Sequence, residues 1–293
     1  MSKVQTKFVN KKIYANYDWD DNVMFMPTRI VFFSKNNVDP KEIEVSTETF
    51  AHVRSKVGTE SCILFLSLDG DVVVGSLEPS TPVSKSVDLL NYEVRPEDNS
   101  GSFRQFRDCG KNYFQNDLNK ALKAKSFGPS FNDFVEHCET QELANNTTII
   151  TARGHSPETM HKGLVRLQEL GFIKFVPPVG NLFPCSYKGL KATEVASAQN
   201  PSDAKKNIIL SILDRINTNA QTSDKASDEL HTFGFSDDDK KTMVLVQDVL
   251  SKELQTGRWS GFEINLYFTG NKKKERQVLL SKHSNVVKVT EVA

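Results

Sequence analysis

The fold is decided by a stretch near the N-terminus that reads IYANYDWDD from Ile13 to Asp21. Its first five residues are typical of a short buried strand, and acids normally do not follow directly on such a strand. Asp18 and Asp20 stand two residues apart at the strand end, where both carboxylates can point toward one ligand. Close carboxylates repel unless a metal ion or a proton lies between them, which suits a divalent cation with a phosphate. The alternative interpretation is a solvated acidic turn.

Composition bounds the class of protein without naming a function. A chain of 293 residues is long enough for one large domain or for a core with an inserted subdomain. The 37 basic residues balance the 37 acidic ones, so no global field would attract the protein to nucleic acid or to a membrane. The four cysteines have no CxxC spacing, and the sequence shows no signal core and no long apolar span. We therefore expect a cytoplasmic protein.

Strand-like and helix-like patterns alternate along the chain, which favours an α/β architecture with a largely parallel sheet. Amphipathic helices are expected from Asn112 to Lys123 and from Pro129 onward. Asp69-Gly70 lies between two apolar runs and is the strongest hairpin signal in the sequence. An alternating segment from Gly261 to Gly270 is expected to extend the sheet at an edge.

A second strand end carries a hydroxyl group and a basic side chain. The β-branched run from Thr147 to Ile150 leads into Thr151, Arg153 and Gly154, and Ser156-Pro157 then forms a good helix start. A hydroxyl group, backbone amides and the positive end of a helix dipole together form a binding site for a phosphate. The pattern therefore indicates a phosphate-binding turn.

A third strand end is acidic. His231 to Phe235 reads as a short strand, and Asp237, Asp238 and Asp239 follow it before a helix from Thr242 to Leu254. The simpler interpretation is a helix N-cap with acids in the first turn, which any helix start favours.

Two lysines open a helix between the second and third strand ends. Lys205 and Lys206 lie near the N-terminus of this helix, where positive charge opposes the helix dipole. Such a placement is mildly unfavourable unless an anion lies nearby.

In their order along the chain, these features resemble the haloacid dehalogenase-like superfamily of phosphatases and phosphotransferases. The family pattern is a strand ending in Asp-x-Asp, a strand ending in Thr or Ser, a lysine on a helix, and a strand ending in paired acids. The matching residues here are Asp18 and Asp20, Thr151, Lys205 or Lys206, and Asp237 with Asp238. The resemblance implies a Rossmann-like parallel sheet with helices on both faces, formed by residues 1–30 and 110–293, and an inserted α+β cap or flap at residues 31–109.

The resemblance also implies a magnesium-dependent phosphatase that passes through an aspartyl phosphate. Asp18 would be the nucleophile and Asp20 the general acid and base. Thr151 and Lys205 or Lys206 would bind phosphoryl oxygens. The implied ligands of Mg²⁺ are the Asp18 carboxylate, the backbone carbonyl of Asp20, and Asp237 or Asp238.

Contacts to the phosphorylated substrate are assigned to a further set of polar residues: Asn22, Arg153, Gly154, Arg104 and Arg107. The alternative interpretation of Arg104 and Arg107 is that they are surface arginines with buried phenylalanines between them. Asn22 departs from the Thr or Val usual in the family, and Phe235-Ser236 precede the final acids where the family often has Gly-Asp. These departures leave open a catalytically degenerate binding or assembly protein. A phosphotransferase or a nucleic-acid end-processing phosphatase is a further alternative.

Overall fold

The computed structural model of the protein describes the following residues: 10–67, 71–73, 83–95, 99–190, 197–222, 229–259, 261–270, 275–280 and 288–292. The chain forms two compact units, a core unit of residues 1–26 with 121–293 and an inserted unit of residues 27–120. The insertion expected from the sequence, residues 31–109, lies within the second unit.

Strands and helices alternate along residues 147–268 of the described chain. The strands are β1 (Asn10–Tyr17), β2 (Ile30–Ser34), β3 (Glu42–Val45), β4 (Ile63–Ser67), β5 (Asp71–Val73), β6 (Val83–Asp88), β7 (Tyr92–Glu93), β8 (Thr147–Thr151), β9 (Leu182–Pro184), β10 (Glu229–Asp237), β11 (Phe262–Phe268), β12 (Glu275–Leu280) and β13 (Lys288–Val292). The helices are α1 (Thr47–Val53), α2 (Tyr113–Ala124), α3 (Phe131–Glu136), α4 (Gln141–Asn145), α5 (Pro157–Glu169), α6 (Pro201–Gln221) and α7 (Lys240–Gln255).

The core unit is built on a seven-stranded sheet of order β13-β12-β11-β10-β1-β8-β9. The five strands from β11 to β9 run parallel to their neighbours, which confirms the predicted α/β fold of the Rossmann-like kind. Every residue of β8 is buried, as expected for a parallel strand covered on both faces. The expectation that residues 261–270 form an edge is wrong, because β12 and then β13 pair beyond β11 in antiparallel fashion.

Helices cover both faces of the parallel sheet. On one face, α6 and α7 bury Ile208, Leu213 and Val246 against Phe233 of β10 and other apolar side chains. On the opposite face, the ring of Phe134 from α3 meets Tyr17 edge-on, with ring centroids 5.7 Å apart. Successive strand residues point to opposite faces of the sheet. The position of a residue along its strand therefore decides which helices its side chain contacts.

The inserted unit contains two three-stranded sheets, of order β3-β2-β7 and β5-β4-β6. Its core includes Phe32, Val45 and Leu64, all of which are fully buried. Strands β4 and β5 pair in antiparallel fashion, and the predicted turn at Asp69-Gly70 lies outside the described residues. No helix in the described part of the chain is long and apolar enough to cross a membrane.

Candidate functional site

Two strand ends bring three carboxylates together at one edge of the sheet. β1 and β10 are adjacent and parallel, and the backbone N–H of Asp18 donates to the carbonyl oxygen of Ser236 at 2.9 Å. Carboxylate oxygens of Asp18, Asp237 and Asp238 all lie within 4.8 Å of one another. We call these three residues the acidic cluster. Parallel strands deliver their carboxyl ends to one crevice, so residues more than 200 positions apart in sequence meet here.

Lys205 lies inside the acidic cluster. From the first turns of α6, its Nζ atom is 2.7 Å from Asp237 Oδ2 and 3.1 Å from Asp18 Oδ1. The neighbouring Lys206 instead pairs with Asp203 on the same helix, at 3.3 Å. Neighbouring helix residues point about 100° apart, so only one of two adjacent lysines can reach the sheet. The structure therefore selects Lys205 from the two candidates.

The electrostatics of the cluster call for an additional cation or for protons. Three ionised carboxylates facing one ammonium group leave two uncompensated negative charges. Burial raises the pKa of Asp18 well above its ordinary value, and Lys205 opposes this rise only in part. Burial, with Asp237 next in importance, raises the pKa of Asp238 to about 7. Burial also opposes the charge of Lys205, but Asp18 and Asp237 outweigh that effect and raise its pKa, so the ammonium stays charged.

The donor set of the cluster fits Mg²⁺, which prefers carboxylate oxygens. A divalent cation would balance the two excess negative charges. A second observation also favours a bound cation. Asp18 Oδ1 is buried and has no hydrogen-bond partner in the described part of the chain. Its contact with Lys205 at 3.1 Å is a charge contact only. Asp18, Asp237 and Asp238 are therefore the residues that would hold the ion.

The second aspartate of the first strand end has a different environment. Asp20 accepts two hydrogen bonds from Arg153, from Nε at 2.8 Å and from Nη2 at 2.6 Å. The Arg153 side chain is fully buried, whereas about a quarter of the Asp20 side chain (23%) remains exposed. Such a bidentate contact fixes the carboxylate in one plane. Arg153, which we predicted from the sequence to bind substrate, thus holds Asp20 beside the acidic cluster.

The turn after β8 has the local structure that its sequence predicts. Ser156 caps α5 by accepting a hydrogen bond from the Thr159 backbone N–H at 3.2 Å, and Pro157 begins the helix. Thr151 is fully buried at the end of β8, next to β1, and Gly154 is buried in the turn. Thr151 accordingly lies at the same sheet edge as Asp18.

The buried side chain of Asn22 joins several parts of the site by hydrogen bonds. Its side chain is fully buried, and its Nδ2 atom donates to the Asp18 carbonyl oxygen at 3.1 Å and to Ser236 Oγ at 2.8 Å. Its Oδ1 atom accepts hydrogen bonds from Ser130 at 2.8 Å and from Thr269 at 3.0 Å. Both polar atoms are engaged within the core unit, so we assign Asn22 a positioning role instead of the expected substrate contact. Sequence reasoning missed Ser130 and Thr269, because no local pattern marks a hydroxyl group that contacts a distant turn.

Of three further candidates, Asp239 and Arg104 have structural partners that the structure shows, and Arg107 is buried. Asp239 is the N-cap of α7 and accepts a hydrogen bond from the Lys241 N–H at 2.8 Å, so it is not a member of the acidic cluster. In the inserted unit, Arg104 forms a bidentate ion pair with Glu42, at 2.7 and 3.2 Å. Arg107 of that unit is buried. The charge of Arg104 is thus balanced within its own unit.

Asp238 gives a testable pH dependence of stability. Its pKa of about 7 in the folded state lies above the ordinary aspartate value of about 3.9, so the folded state binds more protons between these pH values. The contribution of Asp238 to the free energy of unfolding therefore falls as pH rises from about 4 to about 7. With EDTA present, we expect the unfolding free energy of the parent to fall across this range more steeply than that of Asp238→Asn, by on the order of a few kcal/mol. Urea unfolding at a series of pH values measures both slopes, and equal slopes would contradict the assignment.

Comparisons of the chain with protein-family models, with curated proteins and with solved structures found no match. The functional inference therefore depends on the geometry of the site.

Proposed function

We propose that the protein is a cytoplasmic, magnesium-dependent phosphomonoester hydrolase of the haloacid dehalogenase-like kind. The observation that carries the proposal is the acidic cluster at the carboxyl ends of β1 and β10, with Lys205 buried between Asp18 and Asp237. A purely structural site has no need for three carboxylates that face one ammonium group. A site for a phosphate and a divalent cation does need such a set.

Asp18 is the proposed nucleophile. Its carboxylate would attack phosphorus, so that a carboxylate oxygen–phosphorus bond forms as the ester phosphorus–oxygen bond breaks. Bound Mg²⁺ would reduce the repulsion between this carboxylate and the phosphate dianion. Water would then attack phosphorus and release inorganic phosphate, which restores Asp18. Lys205 and Thr151 would contact the phosphoryl oxygens while charge shifts in the transition state.

Asp20 is the proposed proton carrier, and Arg153 is the residue that orients it. Asp20 would protonate the leaving oxygen in the first step and take the proton of the attacking water in the second. The bidentate contact from Arg153 holds both carboxylate oxygens, at 2.8 and 2.6 Å. One of these hydrogen bonds must open when Asp20 carries a proton, so Arg153 would act as a positioning residue.

The test of the function is an assay of the purified chain with an aryl phosphate, with Mg²⁺ and with EDTA. Release of phosphate that requires Mg²⁺ is the expected result. A panel of sugar phosphates, nucleotides and phosphorylated oligonucleotide ends would then identify the class of substrate. Absence of turnover with every member of the panel would overturn the enzymatic proposal.

Mg²⁺ should also stabilise the folded protein. A ligand that binds only the folded state raises stability by mass action, and the excess charge of the acidic cluster makes the folded state the binding form. We expect millimolar Mg²⁺ to raise the melting temperature of the parent by a few degrees and beryllium fluoride to raise it further. The Asp237→Ala/Asp238→Ala double variant should show neither increase. An unchanged melting temperature in the parent would count against the metal site.

A catalytically degenerate binding or assembly protein is the second candidate. The observation that favours it is the closed contact between Asp20 and Arg153, which occupies both oxygens of the proposed proton carrier. Such a protein would retain the stabilisation by Mg²⁺, but it would not turn over any member of the panel. The two experiments together therefore separate the candidates.

A further inference from the structure

A short segment between α2 and α3, residues 126–130, contacts the turn that follows β1. This turn, residues 18–24, begins with the proposed nucleophile and also contains the proposed proton carrier. Two backbone hydrogen bonds of 2.9 Å join the segment to the turn, from Gly128 N–H to the Val23 carbonyl oxygen and from Ser130 N–H to the Asn22 carbonyl oxygen. Both stretches of chain belong to the core unit. The 126–130 segment therefore supports the backbone of the turn.

The closeness of the two stretches requires glycine at position 128. A Cβ atom built at Gly128 would lie 2.3 Å from the carbonyl oxygen of Asn22, 2.6 Å from its carbonyl carbon and 3.0 Å from the carbonyl carbon of Val23. All three atoms belong to the backbone, so they cannot move aside as the end of a flexible side chain can. Glycine is the default residue where one backbone approaches another this closely. Any larger residue would therefore displace the turn.

Ser130 supports the turn through the side chain of Asn22. Its Oγ atom donates a hydrogen bond to Asn22 Oδ1 at 2.8 Å and lies 3.3 Å from Ser236 Oγ. Asn22 in turn donates to the Asp18 carbonyl oxygen at 3.1 Å. Ser130 and Asn22 are both fully buried, and a buried polar network with satisfied donors and acceptors is rigid. The Ser130 hydroxyl group is thus two hydrogen bonds away from the backbone of the proposed nucleophile.

The turn has a backbone conformation that depends on such support. Asp21 has a φ of +56°, in the left-handed region that residues other than glycine rarely adopt. A conformation of this kind persists only where the surrounding structure fixes it. Asp21 directly follows Asp20, so a change at this residue would move the Asp20 carboxylate relative to that of Asp18.

We propose that Gly128 and Ser130 are positioning residues for the phosphatase reaction. They fix the 18–24 turn and thereby hold the carboxylates of Asp18 and Asp20 in the relative placement that the transition state requires. The inference rests on the proposed function, because Asp18 and Asp20 act together only in that reaction. A misplacement of about 1 Å can lower a rate about 10²-fold, even when the altered residue contacts no reacting atom. Turnover should therefore depend on both residues more than substrate binding does.

Hydrogen exchange tests the first step, from the segment to the turn. The backbone N–H groups of Asp21, Val23 and Met24 donate hydrogen bonds of 2.9–3.0 Å within the turn. We expect Ser130→Ala to raise their exchange rates at least about tenfold. The matched control is Thr147→Val, which removes an equally buried hydroxyl group at the start of β8, away from the carboxyl ends of the strands. The control should leave the three rates unchanged. Parent-like rates in Ser130→Ala would overturn the proposal, whatever the phosphatase assay shows.

Kinetics test the second step, from the turn to the reaction. We expect Ser130→Ala to lower kcat for an aryl phosphate at least about tenfold and to change KM less than about threefold. Thr147→Val also loses a buried hydroxyl group, but it should keep the parent kcat because it leaves the turn in place. A parent without turnover would overturn the proposed function. A parent with turnover and an unchanged kcat in Ser130→Ala would overturn the positioning role alone.

Gly128→Ala should displace the turn further. We expect it to lower kcat more than Ser130→Ala does, because its Cβ atom must move the carbonyl group of Asn22. The additional rise in melting temperature with beryllium fluoride should also be smaller than in the parent, a readout that requires no turnover. Gly180→Ala, at an exposed glycine with open space around it, is the control and should match the parent. A parent-like kcat in folded Gly128→Ala would contradict the proposal, and if this variant does not fold, Ser130→Ala decides.

Discussion

Asp18→Asn should abolish phosphatase turnover while the protein remains folded. Asparagine keeps the size of the side chain but removes its charge and most of its nucleophilicity, so we expect kcat for an aryl phosphate to fall by at least about 10³-fold. The substitution removes one of the three buried or half-buried carboxyl groups that face Lys205. Lys205 keeps its 2.7 Å contact with Asp237. The melting temperature in EDTA should therefore be no lower than that of the parent.

The matched control for this variant is Asp239→Asn. Asp239 lies next to the cluster in sequence, but its side chain caps α7, and asparagine is an equally good N-cap. This control should keep both its activity and its melting temperature. If Asp18→Asn hydrolyses an ester as fast as the parent does, Asp18 is not the nucleophile and the proposed mechanism fails.

Lys205→Met should be the most destabilising single change at the site. The Lys205 side chain is 5% exposed and contacts both Asp18 and Asp237, whose side chains are 8% and 0% exposed. Removal of one partner from a buried ion pair leaves uncompensated charge, which typically costs about 3–5 kcal/mol. Urea unfolding at neutral pH in EDTA would measure the loss. The loss should become smaller in acid, because protonation removes the repulsion among the carboxylates.

Lys206→Met provides the comparison at the adjacent position. Lys206 forms a half-buried pair with Asp203 on the same helix, so its loss should cost only about 0–1 kcal/mol. The double variant Asp18→Asn/Lys205→Met tests the coupling, since removing both charges should cost less than the sum of the single changes. Equal stabilities of the two lysine variants would mean that the cluster does not depend on its ammonium group.

The sequence by itself determined that β1 ends at Tyr17 and β8 at Thr151, and that polar residues stand at these ends, whereas β10 continues two residues past its predicted end at Phe235. Apolar runs that stop at Asp18, at Thr151 and at Asp237 predict polar groups at the carboxyl ends of strands, and alternation with helices predicts a parallel sheet. The cap formed by Ser156 and Pro157 was also predictable. Periodicity and capping depend on residues within a few positions of each other, so a single sequence contains this information.

Only the tertiary structure decided which side chains meet. The choice of Lys205 over Lys206 depends on the rotation of α6 about its axis, which the packing of Ile208 and Ile209 fixes. The contact of Arg153 with Asp20 and the buried position of Asn22 depend on the order β10-β1-β8. Such contacts join residues from about 130 to more than 210 positions apart. Their partners follow from strand order and helix packing, which the whole hydrophobic core determines and no local pattern records.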